Sequence, residues 1–527
     1  MPYALSLLAG AVLPLAFAPF EQFWIAPLSY AVLLYLWSAV SGRRAFGLGF
    51  VFGCASFGGG TYWTYIAVRE MGGAPIAVAV FLTVGLVVVC AAFVGLAGLV
   101  AARWFRTSDA AARLVTLPAL FVLCEWLRGW VFTGFGWLSA GYSQTNSWLM
   151  GLAPILGVHG MSWAVLVTAG ALVTIAAAAV DARRGIRLEQ ASQSPPSGSA
   201  RAARRRRYAG ALAAVLVLAA VWVTGLAARA QRWTVPQERT LTVALLQGAV
   251  AQDSKWKPEQ LLGTLDLYAR LTAETLGTQL IIWPEAAVPT LYEYVRDYVD
   301  QVRRASAARG STVLLGILRA DPNASDTEAS EETSQNVLIA LTDPMQTYVK
   351  RHLVPFGEHF PVPPFIRSWM RLMNLPYTDL VPGARDQPPL AASGQHVAIT
   401  ICYEDLFGAE QLHYLPDATL LVNVSNDAWF GDSIMPHQHL QIAQVRAAEA
   451  GRYLLNATNT GVTAVIDDRG RVEATLPQFK PGVLRATVRG YEGATPYVRV
   501  GNWLVVLLAL GAALAQLPAL ASVARRW

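Results

Sequence analysis

The sequence predicts a membrane α-helical bundle of eight transmembrane helices joined to an α/β layered domain. Three observations point there. The chain has 527 residues, 54% hydrophobic and only 14% charged, with a mean hydropathy of +0.38. That is too long for one ordinary domain and too apolar for a water-soluble one. The apolar residues are also unevenly placed: uncharged runs fill the chain to about residue 230, whereas charges, prolines and glycines are frequent from about 240 to 490. A last apolar run closes the sequence. The expected division is a seven-helix bundle over 1–230, a water-soluble domain over 231–498 and a final helix within 499–527.

Each candidate span approaches the ~20 residues a helix needs to cross a bilayer. They lie at about 3–20, 22–40, 45–68, 74–102, 113–130, 152–180, 208–228 and 500–521. Ala16-Phe17-Ala18 resembles a signal-peptide cleavage site, but no basic region precedes it and a second apolar run follows at once. The first stretch therefore reads as an uncleaved helix. Gly47, Gly49 and Gly53 in the third predict tight helix packing.

Lys and Arg in short loops set the orientation. Arg43 and Arg44 follow the second span, and Arg103, Arg106 and Arg113 lie between the fourth and fifth. Arg183, Arg184, Arg187, Arg201 and the run Arg204–Arg207 lie between the sixth and seventh, and Arg525 and Arg526 end the chain. The alternate loops hold little beyond Arg69 and Arg128. All the basic loops share one side if both termini are cytoplasmic, which puts 231–498 outside, in the periplasm of a two-membrane bacterium. The arginine cluster is then a topology anchor beside anionic headgroups rather than a nucleic-acid site. The preceding ASQSPPSGSA reads as a flexible linker.

Within 240–490, LTVALLQGAV (241–250), QLIIWPEAAVP (279–289), TVLLGILRA (312–320), QNVLIALTD (335–343), QTYVKRHLVPFGE (346–358), HVAITICYED (396–405), ATLLVNVSND (418–427) and YLLNATNTGVTAVID (453–467) read as strand-bearing. Helical patterns fall at 258–276, 291–309, near 406–413 and at 437–452, and an acidic, Ser-rich loop spans 321–333. Strands and helices alternate at first and strands crowd later, which argues an α/β layered fold presenting polar groups where strands end.

Three such ends carry reactive types: Glu285, Lys350 and Cys402. Cys54, Cys90 and Cys124 fall inside spans, where a thiol is a small apolar residue, so Cys402 stands alone in its domain. A leftover external cysteine suggests an intermolecular bridge or a reactive thiol. A carboxylate, an ammonium and a thiol in one pocket would form a nucleophilic machine. Glu285 would take the thiol proton and deliver it to the leaving group, Lys350 would stabilise oxyanion character, and the Tyr403 backbone N–H would be a second donor. Glu358 and Glu404 could orient these groups or the second substrate. Taken singly, each signal has a plainer reading: packing for the thiol, solvation for the two charges.

Together, WPEAAVP, KRHLVPFGE and ICYED resemble the Glu–Lys–Cys motifs of the nitrilase, or carbon–nitrogen hydrolase, superfamily. With the flanking helices and SNDAWFGDSIMPHQHLQIAQVRAAEAGR at 425–452, nearly the full chain resembles the bacterial apolipoprotein N-acyltransferases, its membrane-integrated branch. The resemblance implies a nitrilase-like αββα sandwich on the periplasmic face of the inner membrane. It implies a two-step reaction: Cys402 takes an acyl chain from a phospholipid, phosphatidylethanolamine, as a thioester. The α-amine of a diacylglyceryl-modified N-terminal cysteine of an apolipoprotein then accepts it. It also implies that Glu358, Tyr403 and Glu404 support the triad of Glu285, Lys350 and Cys402, and that Trp256, Trp429, Phe430 and Glu449 handle substrate or line mobile loops. A membrane-anchored amidase, with water as acceptor, is the alternative.

Other constellations are weak. His437 and His439 turn to different helix faces and lack completing ligands, so no metal is expected. No phosphate-cradling glycine motif is present, and no cofactor is expected. Trp137 and Trp148 read either as interface belting or as an acyl-chain entrance. Glu125 and Arg128, one helical turn apart, read either as a pair or as neighbours of a headgroup site.

Overall fold

A computed structural model of the chain describes residues 1–105, 107, 109–191, 198–322, 333–359 and 380–516. Two compact units emerge: one from Met1–Tyr65, Ala74–Arg232 and the chain from Arg499, the other from Ile66–Gly73 and Trp233–Val498.

The first unit is helical. Among the described residues, Ile76–Trp104, Trp148–Arg183 and Arg204–Ala230 are long and apolar enough to cross a membrane, while Pro2–Ala16, Ile25–Trp37 and Trp503–Gln516 are shorter apolar helices. Only 17% of the most apolar window in Ile76–Trp104 is buried within the protein, so most of its hydrocarbon faces outward. A bilayer satisfies that surface and water does not. The third expected span ends early. Its helix covers Gly42–Gly60, finishing on three glycines, which hold a helix poorly. The chain then forms a π-helical turn at Ile66–Met71 that belongs to the second unit. The fifth narrows to Leu117–Arg128 behind a π-helical turn. Gly49 and Gly53 pack as expected: a Cβ on Gly49 would lie 2.8 Å from the Val94 carbonyl oxygen, and one on Gly53 2.6 Å from the Ala91 Cα. Ala16, Phe17 and Ala18 are buried. The linker 192–197 and most of the acidic loop lie outside the described residues.

Glu125 and Arg128 do not pair with each other. The Glu125 Oε2 accepts the Ala140 N–H at 2.8 Å and its other oxygen faces His159 Nδ1 at 3.5 Å. Arg128 donates to the carbonyls of Phe135 and Trp137. Both side chains thus tie the segment 135–140 back onto their helix. Trp137 is 2% exposed and packs on Trp63 and Phe135, so it is core, neither belt nor entrance.

Among the described residues, the second unit holds thirteen strands. Those of the first sheet are β1 (Val235–Gln247), β2 (Leu280–Ile282), β3 (Val288–Leu291), β4 (Thr312–Ala320), β5 (Ser334–Ala340) and β6 (Gln346–Val349). The second sheet takes β7 (Leu390–Ala392), β8 (Gln395–Ile401), β9 (Leu420–Ser425), β10 (Leu454–Thr458), β11 (Ala464–Ile466) and β12 (Val472–Thr475). The last strand, β13 (Gly482–Glu492), returns to the first sheet. The orders are β13-β1-β2-β4-β5-β6, with β3 beside β4, and β12-β11-β10-β9-β8-β7. Each sheet has a parallel centre, β1-β2-β4 and β8-β9-β10, flanked by antiparallel strands.

Strand alternation builds the layers. Leu241, Val243 and Leu245 face a core shared with Val397, Ile399, Leu420 and Val422 of the second sheet. The intervening Ala244 and Leu246 face Tyr268, Leu271, Val299 and Val302 on helices Pro258–Ala273 and Arg296–Ala307. Helix Met435–Ala450 lays Ala443 and Ala447 on the second sheet. The arrangement is helix, sheet, sheet, helix. Burying two sheet faces against each other and the outer faces under helices removes nearly all central-strand apolar area from water.

Candidate active site

The site is made where strands stop. The run expected as one strand over 279–289 breaks after Ile282, because Pro284 has no N–H to continue a ladder. Ala286 takes the left-handed conformation, with φ +44°. Glu285 is thereby turned inward, 6% exposed. Gly316 on β4 permits this bend, since a Cβ there would meet the Pro284 carbonyl and lie 2.9 Å from the Glu285 Cα.

Lys350 follows β6 and is 1% exposed. Its Nζ lies 3.2 Å from Glu285 Oε1 and 2.8 Å from Glu358 Oε1. Burial works against its charge, but Glu285 and Glu358 outweigh burial and hold Lys350 above the ordinary lysine range. The ammonium therefore persists at any physiological pH.

Cys402 follows β8 and begins a 3-10 turn, Cys402–Leu406, with φ +53°. A non-glycine residue held there stores about 1–3 kcal/mol of strain. Glu404 holds the corner. Its Oε2 accepts the Ile401 N–H at 2.8 Å, and its Oε1 accepts the N–H groups of Arg351 at 2.8 Å and His352 at 3.1 Å. The Tyr348 hydroxyl adds a fourth donor at 2.9 Å. One buried carboxylate thus ties the end of β8 to the end of β6. Burial pushes the Cys402 thiol well above its usual range, Glu285, Asp427 and Glu358 push it further, and Lys350 only partly offsets them. The resting sulfur is a thiol, and a thiol becomes strongly nucleophilic only when a base takes its proton.

Of the other residues singled out in the sequence, Glu358 joins the cluster, its second oxygen accepting the Val354 N–H at 2.9 Å. The Tyr403 ring packs edge-on against Phe407, 5.2 Å between centroids. Trp256 is 44% and Trp429 40% exposed. Trp429 and Phe430 lie on the 3-10 turn Asp427–Phe430, which packs with Ile66–Met71 inside this unit. Glu449 is 2% exposed and pairs with Arg446 at 2.9 Å. It lies beneath the short helix Gly408–Gln411, where a Cβ on Gly408 would collide with Arg446.

The helical unit matches the family model described as the apolipoprotein N-acyltransferase N-terminal domain over residues 9–171, and residues 242–497 match the carbon–nitrogen hydrolase model. Apolipoprotein N-acyltransferase of Methylococcus capsulatus is 40% identical over 96% of this chain and 94% of its own. That of Nitrosomonas europaea is 41% identical over 93% and 92%. The chain belongs to the apolipoprotein N-acyltransferase family. Among solved structures, the Saccharomyces cerevisiae nitrilase-superfamily protein Nit3 is similar over 49% of this chain and 92% of its own, at 17% identity and a TM-score of 0.35. As a family member, the chain is a membrane-associated N-acyltransferase with a carbon–nitrogen hydrolase domain.

Several polar groups in this candidate site of the N-acyltransferase family member escaped the sequence reading. Asn336 on β5 donates to Glu285 Oε1 at 2.7 Å and to Glu358 Oε1 at 3.4 Å, bridging the two carboxylates. The Asn426 backbone N–H donates to Glu285 Oε2 at 2.8 Å. Asn426 also joins Gln252 and Asn459 through its side chain. Lys255, 1% exposed, donates to the Glu285 carbonyl at 3.4 Å. Strand ends were the available signal: Asn426 follows β9 as Cys402 follows β8.

Proposed function

We propose that this enzyme moves an acyl chain from a membrane phospholipid, phosphatidylethanolamine, through a Cys402 thioester to the α-amine of the N-terminal diacylglyceryl-cysteine of an apolipoprotein. The observation that carries the reading is one buried cluster: Lys350 Nζ 3.2 Å from Glu285 and 2.8 Å from Glu358, with the Cys402 thiol inside their field.

In the first step Glu285 takes the thiol proton as sulfur attacks the donor's ester carbonyl. Lys350 and the Tyr403 N–H stabilise the oxyanion. The C–O bond breaks, the departing glycerol oxygen recovers the proton from Glu285, and lysophospholipid leaves. In the second step the neutral amine attacks the thioester and yields its proton to Glu285. The C–S bond breaks, and the proton returns to sulfur. An ester and an amine become an alcohol and an amide, and the thioester conserves enough free energy that no ATP enters. Glu358 and Glu404 support the triad. Trp256, Trp429 and Phe430, partly exposed aromatics, contact the lipid substrates, and Glu449 acts from below through Arg446.

The reading includes eight transmembrane helices in the inner membrane, with 1–230 and 499–527 forming the bundle, both termini cytoplasmic and 231–498 periplasmic. The basic loops and the apolar helices support it. An acyl donor resident in the bilayer gives a reason for attaching a hydrolase-type domain to such helices.

The test is mass spectrometry of the purified protein incubated with phospholipid. A labile acyl adduct on Cys402, absent from Cys402→Ala, is expected. Adding a diacylated lipopeptide should discharge the adduct into triacylated product; free fatty acid as the main product would identify a hydrolase instead.

A further inference from the structure

His439 lies on helix Met435–Ala450, 2% exposed, directly behind the nucleophile corner. Its Nε2 is 3.2 Å from the Cys402 carbonyl oxygen, and its Nδ1 is 3.2 Å from Asp427 Oδ1. A backbone carbonyl only accepts, so Nε2 carries a hydrogen. The Asp427 oxygen, which also accepts the Ser425 hydroxyl at 3.0 Å, takes the other. With both ring nitrogens donating, the imidazole is a cation. Burial opposes that charge, and Asp427 and Asp405 overcome it, raising His439 above the ordinary histidine range.

The peptide it grips matters. The Cys402 carbonyl and the Tyr403 N–H belong to one amide, and a charge-assisted bond to the oxygen polarises the amide and strengthens its N–H as a donor. The same bond, with that of Asn423 at 3.4 Å, holds Cys402 at its positive φ. Asp427 in turn begins the turn that carries Trp429 and Phe430.

We propose that His439, as an imidazolium held by Asp427, is a positioning residue that fixes Cys402 and polarises the Cys402–Tyr403 peptide for oxyanion binding. The proposal rests on the reading of Cys402 as nucleophile and the Tyr403 N–H as oxyanion donor. The charged groups acting on the ring are Asp427 on its turn and Asp405 behind Cys402, and Arg446 on the ring's own helix acts in turn on Asp405.

The experiment measures the rate of acyl-adduct formation with phospholipid in the full-length parent, His439→Ala, Asp427→Asn and Cys402→Ala. His439→Ala should acylate about tenfold to a hundredfold more slowly, the range of one charge-assisted hydrogen bond, with the KM for phospholipid nearly unchanged. Added imidazole should restore part of the rate, which a purely structural defect would not allow. In Asp427→Asn the buried ring loses its second proton as pH rises, so the deficit relative to the parent should grow between pH 6 and 8. Parental acylation by His439→Ala overturns the proposal. If that variant does not fold, a deficit in Asp427→Asn that stays flat with pH overturns it, and a rising one supports it. An adduct formed by Cys402→Ala would instead defeat the nucleophile reading, and this proposal with it.

Discussion

Lys255 shows how far a single residue in this site departs from its ordinary chemistry. It is buried with a backbone carbonyl as hydrogen-bond acceptor, and burial lowers its pKa from 10.5 to about 8 against the opposing pull of Glu285. Between about pH 8 and 10.5 the unfolded chain therefore binds a proton that the folded chain does not, so stability rises with pH across that window. Below it the charged form carries the whole penalty, about 3 kcal/mol at 1.36 kcal/mol per pKa unit. Lys255→Met should thus have its largest stability advantage, or smallest deficit, near pH 7. Melting curves in detergent should show the difference from the parent moving by about that amount toward the parent as pH approaches 10.5. A difference constant with pH would mean that Lys255 does not titrate there. Residues of this kind were hidden in the sequence. Glu285, Lys350 and Cys402, each with a plainer reading when taken singly, stood out because WPEAAVP, KRHLVPFGE and ICYED occur together and resemble a known motif set. Asn336, Asn426 and His439 act through an amide, a backbone N–H and a carbonyl, and such roles depend on strand register.

At the scale of elements, the turn after β8 rests on a buried ion pair. Arg446 and Glu449 meet at 2.9 Å under Gly408, which has no room for a side chain. Gly408→Ala should push Arg446 aside and destabilise the sheet unit by about 1–3 kcal/mol, the usual cost of overpacking. It should also raise the alkylation rate of Cys402 as the corner loosens. A melting temperature and an iodoacetamide time course check both, and an unchanged pair of values would show that the helix above simply shifts. Element legibility follows burial. Thr312–Ala320 was readable to the residue because it is a continuous apolar strand. By contrast, β12 and β13 were not recognised: in β13 Arg485 and Arg489 interrupt the apolar positions, as suits a flanking strand with one face toward solvent. The single strand expected over 279–289 is two, because the site needs the chain to turn between them.

At the scale of the whole molecule, the orientation of the sheet unit can be checked chemically. Asp297 is exposed on helix Arg296–Ala307, and the four natural cysteines are buried or half-buried. In a Cys402→Ala background, Asp297→Cys should react with a membrane-impermeant maleimide in cells whose outer membrane alone is permeabilised. Labelling only after the inner membrane is broken would reverse the proposed topology. The two-part division and the layered class were legible because composition changes sharply near residue 230, whereas individual helix ends were not, since short polar interruptions and π-helical turns shift them. One pairing has a consequence for biosynthesis. β1 and β13, the first and last strands of the unit, lie side by side from Val235↔Glu492 to Gln247↔Gly482. During synthesis the early strand emerges with its outer ladder unmatched, and its neighbour arrives only after nearly the whole unit has been made. Ribosomes add about 5–20 residues per second, so that edge waits for tens of seconds, open to chaperones or to mispairing, before the enzyme can close.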